Sequence, residues 1–439
     1  MNASPMSSRG RPQGLAGCAL GALMSRRRAP QGLATRALGA LLALLLAGCG
    51  ASASLPSARV GGPALPAPLA TSLQSATGTW ATLPMGHLNE PLNTFWQLFY
   101  RPAAGGPWSN HVEATAEATN GGLVLASPPG QGLIAAVRPS YLLTFSPLIY
   151  TADAGASWST GLVAAALADR QDALAAASPS QALALVSAHG HSEVLASNAG
   201  LNSWHTLVSE ATLARTPAGR SCALSALTAV AYIAGASPAS SPGGQGKGEP
   251  LVAGSCANPG VVGMFTTSAG GGWQLIPLAR EHGAGLPAAL AHDRVEVLSA
   301  QAVGDGLRAL LALEGGRQAQ LLVVWLAGGR WRASQPLPIP AGATLASFAP
   351  ASPSGIYALF SAASPPARLV LARGPGASWQ ALPAPPSGTA TVAAGPAGST
   401  EALAVTGGNV LTVWSLAPGA STWARRQTLE VHVEYGSSE

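Results

Sequence analysis

Thr151-Ala152-Asp153-Ala154-Gly155-Ala156-Ser157-Trp158 decides the fold of this chain. An apolar run precedes it, and its tryptophan opens another. The same context, a Gly-rich turn closed by Trp, returns at 105–108, 197–204, 267–273, 327–331, 374–379 and 418–423. Successive tryptophans stand 50, 46, 69, 58, 48 and 44 residues apart. Self-similarity at such a period marks a repeat architecture. Each interval holds about four short apolar runs. The clearest unit, 390–429, reads ATVAAG, TEALAVT, VLTVWSLA and STWARRQTL, with Gly, Pro, Asn and Ser between the runs. These are strand and hairpin signals. Four strands per repeat predict an all-β chain, a single β-propeller of seven four-stranded blades over 79–439. Six or eight blades stay open, because the first unit is irregular and Trp80 also fits a strand that closes the ring. Helical pairs are excluded, since no amphipathic helix persists. The Ala-rich stretch 162–178 is apolar all round. The long third interval contains GASPASSPGGQGKGE at 235–249, read as a low-complexity loop.

TADAGASW resembles the Asp box, Ser/Thr-x-Asp-x-Gly-x-Ser/Thr-Trp, of sialidases and other Asp-box (BNR) propellers. The resemblance implies a structural turn between the third and fourth strands of a blade, away from the axial site. Thr151, Asp153, Gly155, Ser157 and Trp158 fill the pattern. Asp153 is expected to accept backbone amides of its own turn. Gly155 allows positive φ, and Trp158 buries apolar area between strands. Other copies replace Asp by Asn198 or Ser268 or lose it. The likeness is therefore to the propeller class and not to one enzyme.

Leu46-Ala47-Gly48-Cys49 ends an apolar run, 37–46, that follows Arg26, Arg27, Arg28 and Arg36. A basic segment, a short apolar segment and small residues before a cleavage point describe a signal peptide. The run is too short for the ~20 apolar residues a bilayer requires. The Cys49 motif resembles the lipobox of bacterial lipoproteins. That implies cleavage before Cys49, acylation of its thiol and an extracytoplasmic, membrane-anchored product; an ordinary secreted protein is the alternative. On this reading 1–48 is the signal peptide and 49–78 a lipidated cysteine with a flexible tether of roughly 30 Å. Pro12 to Leu23 nearly repeats Pro30 to Leu41, and a start at Met24 gives a leader of ordinary length. Cys18 lies in a second Leu-Ala-Gly-Cys without an adequate apolar run before it.

Processing changes the charge balance. The chain has 23 basic and 18 acidic residues, and six of the basic ones precede Cys49. The remaining 17 against 18 give no footing for a nucleic-acid partner. Cys222 and Cys256 are left as an even pair in an exported chain, a candidate disulfide, with two buried thiols as the alternative.

Chemistry is sparse. Phe99-Tyr100-Arg101-Pro102 is similar to the Phe/Tyr-Arg-Ile-Pro element of sialidases, whose arginine pairs with a substrate carboxylate. Here the isoleucine is absent. The family also implies two further arginines, an acid/base and a Tyr–Glu nucleophile pair. Tyr141, Tyr150, Tyr232 and Tyr357 have no neighbouring motif of that kind. The segment from Met85 to Trp96 gathers polar and aromatic groups and breaks the blade pattern. It reads as an N-terminal strand completing the last blade, or as a binding loop at the axis. His87 and Asn93, with Arg101, are its candidate ligand-binding groups. His189, His191 and Glu193 alternate as on a strand but lack a further metal ligand. Asp169-Arg170-Gln171-Asp172 reads as a polar turn. No nucleotide or nucleophile-elbow fingerprint occurs, so no catalytic residue, metal or cofactor is assigned. The expectation is a monomeric envelope lipoprotein whose propeller binds a protein or glycan, with a sialidase-like exo-glycosidase as the alternative.

Overall fold

The computed structural model describes residues 70–86, 94–111, 122–138, 143–188, 191–233, 248–268, 270–278, 286–304, 306–316, 318–328, 330–351, 354–362 and 366–432. The signal peptide, Cys49, His87, Asn93, His189 and most of the 235–249 loop lie outside them.

The strands of the described residues form seven antiparallel four-stranded meanders in chain order, a β-propeller. Blade 1 spans 71–110, blade 2 122–163, blade 3 174–209, blade 4 224–275, blade 5 294–333, blade 6 343–381 and blade 7 389–430. Blades 4 and 5 share one sheet, joined where Ser255 and Cys256 pair with Glu296 and Val295. The first strand of blade 1, Thr71–Gln74, falls within the segment read as tether. Glu249, read as loop, begins the strand Glu249–Cys256.

Burial follows position in the blade. In blade 7 the second strand, Thr400–Thr406, is buried on both faces, whereas the outermost, Ala424–Glu430, is largely exposed. Inner strands are covered on both sides by neighbouring blades, which is why they read as continuous apolar runs without alternation. The apolar clusters lie at blade junctions. Leu98 shares a cluster with Leu133, Leu311 with Leu251, and Phe348 with Val323. Leu359 shares a cluster with Ala402, and Leu403 with Phe99, so the packing returns from blade 7 to blade 1. Each blade draws its four strands from one stretch of chain. Met85 and Trp96 therefore do not complete the last blade. They lie on the two arms of a hairpin inside blade 1, with Met85 opposite Phe95 and Pro84 opposite Trp96.

Every Trp-turn tryptophan occupies one position, at the start of its blade's fourth strand. Trp108, Trp158, Trp379 and Trp423 immediately precede that strand, and Trp204, Trp273 and Trp331 lie in it. Trp108 and Trp331 are buried; the other five are half-buried.

Two short helices, α1 (Glu210–Arg215) and α2 (Pro217–Cys222), join blades 3 and 4. Their signals are local: the Ser209 side chain accepts Thr212 N–H, the Thr216 side chain accepts Gly219 N–H, and Pro217 opens α2. A disulfide links Cys222, at the end of α2, to Cys256, at the end of a blade 4 strand; both are buried.

Candidate functional site

The innermost strands of the blades run in the same direction. The ends of six of them, near Gln74, Ala126, Ala176, Tyr232, Val303 and Ala351, converge on one cavity of about 460 Å³. The face where innermost strands begin is the leading face, and the face where they end is the trailing face. This cavity is the axial mouth on the trailing face.

Its floor is polar and built from the connection before blade 3. Gln171 and Asp172 are buried. Gln171 Nε2 donates to Thr71 Oγ1 at 2.5 Å and to the Phe348 carbonyl at 2.9 Å, tying blades 1 and 6 across the axis. Ser347 Oγ lies 2.8 Å from Thr391 Oγ1 and donates to the Ala70 carbonyl at 2.9 Å. Asp172 Oδ2 accepts Ser299 Oγ at 2.5 Å and Ala300 N–H at 3.1 Å. Burial pushes the Asp172 carboxyl up to about 6, against the opposing pull of those donors and of Arg308. The Arg308 guanidinium, pressed down to about 10 by burial, donates to the Gly355 carbonyl and, at 2.5 Å, to Gln301 Oε1. Asp169–Asp172 is thus the turn the sequence suggests, but two of its residues plug the axis.

The cavity walls are mainly aliphatic. Leu73, Leu125, Leu174, Val230 and Val303 line it, with Pro128 and Pro350 at the rim. Gln74, Ser75, Ser127, Tyr232 and Gln301 supply hydrogen-bonding groups. Burial raises the Tyr232 phenol.

Gln74, Ser75 and Ala351 also line a second cavity of about 550 Å³, between blades 1, 6 and 7. Arg373 and Gly398 carry it on into a third, of about 380 Å³, along blades 6 and 7. The three share linings, so a trough runs over the trailing face from axis to rim.

Arg101 lies in the wall of the second cavity and is buried. Its Nε is 3.4 Å from Glu401 Oε2. Its Nη2 donates to Thr79 Oγ1 at 3.0 Å and to the Ala394 carbonyl at 2.7 Å. Trp108 Nε1 donates to Glu401 Oε2 at 3.0 Å, and the guanidinium stands 5.4 Å from the Trp108 ring centre. Burial lowers Arg101 and raises Glu401, each opposed by the other's charge. The arginine read as a ligand group is engaged as a strut between blades 1 and 7. Tyr357 and Arg373 share its cavity. The Tyr357 hydroxyl is 3.0 Å from Thr400 Oγ1.

The TADAGASW turn stands between the third and fourth strands of blade 2, Ser146–Thr151 and Ser159–Val163. Asp153 Oδ1 accepts Ser157 N–H at 2.9 Å, and Oδ2 accepts Ser157 Oγ at 2.5 Å. Thr151 Oγ1 accepts Gly155 N–H at 2.8 Å. The Ser157 bonds first, and then the Thr151 hydroxyl donating to Asp153 Oδ1 at 2.8 Å, hold the Asp153 carboxyl down at about 2. Gly155 has φ of 90°, and a Cβ there would lie 2.6 Å from His111. Trp158 stacks edge-on to Trp80 of blade 1, with ring centres 5.9 Å apart. All of the Asp153 carboxylate's bonds lie within its own turn.

Sequence reasoning missed Gln171, Asp172 and Arg308 as axial groups. Arg308 carried a signal: a lone cation in the apolar strand Gly306–Glu314 must find a partner or a cavity. His191 and Glu193 stand on the strand His191–Ser197. Among the described residues no group of three or more His, Cys, Asp or Glu could hold a metal ion.

No family model matches the chain, and no characterised protein sequence matches it. Solved structures do. A GH74 xyloglucanase from Xanthomonas campestris is 16% identical over 80% of this chain and 52% of its own, with a TM-score of 0.49. TolB from Acinetobacter baumannii is 9% identical over 77% and 61%, TM-score 0.37. A fucose-recognising lectin from Aleuria aurantia, a six-bladed β-propeller, is 12% identical over 84% and 96%, TM-score 0.37. The chain spans about half the length of the xyloglucanase.

Proposed function

We propose that this chain is an envelope lipoprotein, anchored through Cys49, whose propeller binds a protein or glycan partner along the trailing-face trough. The observation that carries the reading is the lining of the axial mouth. It is aliphatic with neutral hydrogen-bonding groups, and its charged side chains are one aspartate and one arginine, Asp172 and Arg308. Such a surface can hold a ligand by shape and hydrogen bonds. A sialidase-type centre would need several arginines around a Tyr–Glu pair. The nearest approach to one is the second cavity, where Arg101, Arg373 and Tyr357 meet. That exo-glycosidase alternative is disfavoured by the engagement of Arg101 with Glu401, Thr79 and Ala394.

The test uses a photo-crosslinking amino acid at Gln301, in the mouth, and at Ser157, in the exposed turn, in the living bacterium. A discrete adduct from position 301 that is absent from 157 supports the reading. Equal adducts from both positions, or none from 301 together with no retention on a printed glycan panel, would overturn it. Release of methylumbelliferone from its sialoside, lost on Arg101→Lys, would transfer the assignment to the glycosidase.

A further inference from the structure

Five charged side chains of the described residues are buried: Arg101, Asp172, Glu296, Arg308 and Glu401. Three of them have their opposite in contact, Arg101 with Glu401 at 3.4 Å and Glu296 with Arg170 at 3.0 Å. Asp172 and Arg308 do not. Both line the axial mouth, at 7% and 4% exposure. Among the described residues they form no ion pair, with each other or with a third group. Neutral groups hold them apart. Asp172 Oδ2 accepts Ser299 Oγ–H and Ala300 N–H on the innermost strand of blade 5, so Oδ1 carries neither bond. Arg308 uses two of its five N–H donors on the Gly355 carbonyl and Gln301 Oε1. Burial is the main influence on both groups, and the pull of each on the other is smaller.

A buried charge without a charged partner is costly, and a ligand that brings both missing partners recovers part of that cost. We propose that Asp172 and Arg308 receive the two ends of a dipolar aliphatic ligand, a free α-amino acid or a short peptide, with its ammonium on Asp172 and its carboxylate on Arg308. The proposal rests on the mouth being a binding site, as argued above, and narrows what enters it. The rest of the lining agrees. Leu73, Leu125, Leu174 and Val230 give an aliphatic side chain an apolar surface. Arg308 has donors left for a bidentate carboxylate. A cavity of about 460 Å³ has room for a molecule of this size. A neutral sugar would satisfy neither charge and would set its hydroxyls against those leucines. An amino acid and a dipeptide share this chemistry and differ in the distance between their charged ends.

The experiment is calorimetric titration of the full chain with L-leucine and with L-leucyl-L-leucine. Each is compared with its N-acetyl derivative, which lacks the cation, and its C-terminal amide, which lacks the anion. At least one parent compound should bind, and both of its derivatives should bind about tenfold or more weakly. Tighter binding of leucine assigns the site to free amino acids, and tighter binding of the dipeptide to short peptides. Asp172→Asn should weaken the parent and leave the N-acetyl derivative unchanged. Arg308→Gln should weaken the parent and leave the amide unchanged. A loss of stability alone would not match each variant to one derivative, and the derivatives test both charges in the native protein if Arg308→Gln does not fold. Derivatives that bind as tightly as their parent, or no binding of either parent at about 10 mM, overturn the proposal. The crosslink from position 301 reads the earlier assignment separately. An adduct there without binding of these ligands overturns this inference alone, and their binding without an adduct overturns only the protein or glycan partner.

Discussion

The indole Nε1 of Trp331 donates to the carbonyl oxygen of Pro277 at 2.9 Å, binding the fourth strand of blade 5 to the segment that leaves blade 4. Trp423 repeats the bond to Pro383 at 3.3 Å. Each proline stands four residues after the preceding blade's tryptophan, Trp273 or Trp379. At these two junctions a hydrogen bond from the repeat's tryptophan stitches one blade to the one before it. Trp379 lacks it: its Nε1 is buried without a partner, and the residue four after Trp331 is Gln335. Trp331→Phe should cost about 1–2 kcal/mol in urea unfolding by loss of one buried bond. Trp379→Phe should cost less or nothing. Trp331→Ala, at a buried site, should cost about 3–5 kcal/mol and more than Ala at half-buried Trp423. The reverse order would mean that these tryptophans are not equivalent parts.

The repeat was legible because it is local: a Gly-rich turn, a Trp and an apolar run recur within a few residues of each other. The axial groups were not, because ring closure places them. Gln171 touches Thr71 and Phe348, 100 and 177 residues away in sequence, and Arg101 finds Glu401 300 residues on. Nothing beside Arg101 in the chain distinguishes an arginine that greets a ligand from one that ties two blades. The helices at 210–222 were readable from their Ser, Thr and Pro caps. They fall in the long interval between Trp204 and Trp273, whose extra length was assigned to the loop at 235–249 alone.

The Arg101–Glu401–Trp108 strut predicts a coupled loss. Both charges are buried, and removing one partner strands the other. Arg101→Ala and Glu401→Ala should each cost about 3–5 kcal/mol. The double substitution should cost clearly less than the two added together. Additive losses in the mutant cycle would show that the pair does not act as a unit.

Asp172 predicts a pH dependence of the opposite sense to most carboxylates. Its folded value, about 6, lies above the ordinary 3.8. The folded protein therefore holds this proton more tightly, and the group's contribution is full below pH 4 and lost as pH rises through 6. Asp172→Asn cannot titrate. The melting temperature of the native protein minus that of the variant should fall as pH rises from 4 to 6. A flat difference would remove the buried-carboxyl account of the axial floor.

Asp153 gives the opposite sign. Its carboxyl is held near 2 by Ser157 and Thr151, so its contribution is present above about pH 4 and lost as pH falls toward 2. Asp153→Ala should lower the melting temperature at pH 7 less than Trp158→Ala does, because it opens no cavity. The gap between Asp153→Ala and the native protein should narrow below pH 4. A gap that persists at pH 2 would place the loss elsewhere than in the charged turn.

The Cys222–Cys256 bond closes a loop of 34 residues that contains most of blade 4's inner hairpin and the 235–249 insertion. The insertion is rich in Gly, Ser and Pro and, these aside, carries no apolar side chain larger than alanine, so it enlarges the unfolded ensemble. A covalent link across it removes that cost from the folding equilibrium. In the chain-entropy account this is on the order of 3–4 kcal/mol. Both cysteines are buried, with Cys222 at the end of α2 and Cys256 opposite Leu224, so reductant should reach the bond only through local opening. Thiol titration of the mature, denatured, unreduced chain should find no free thiol from this pair. Cys222→Ser with Cys256→Ser should lower the unfolding free energy by about that amount, and deleting 235–247 in the same background should restore part of it by shortening the open loop. If the deletion restores nothing, the stabilisation comes from contacts of the bridge in the folded blade and not from closing the loop.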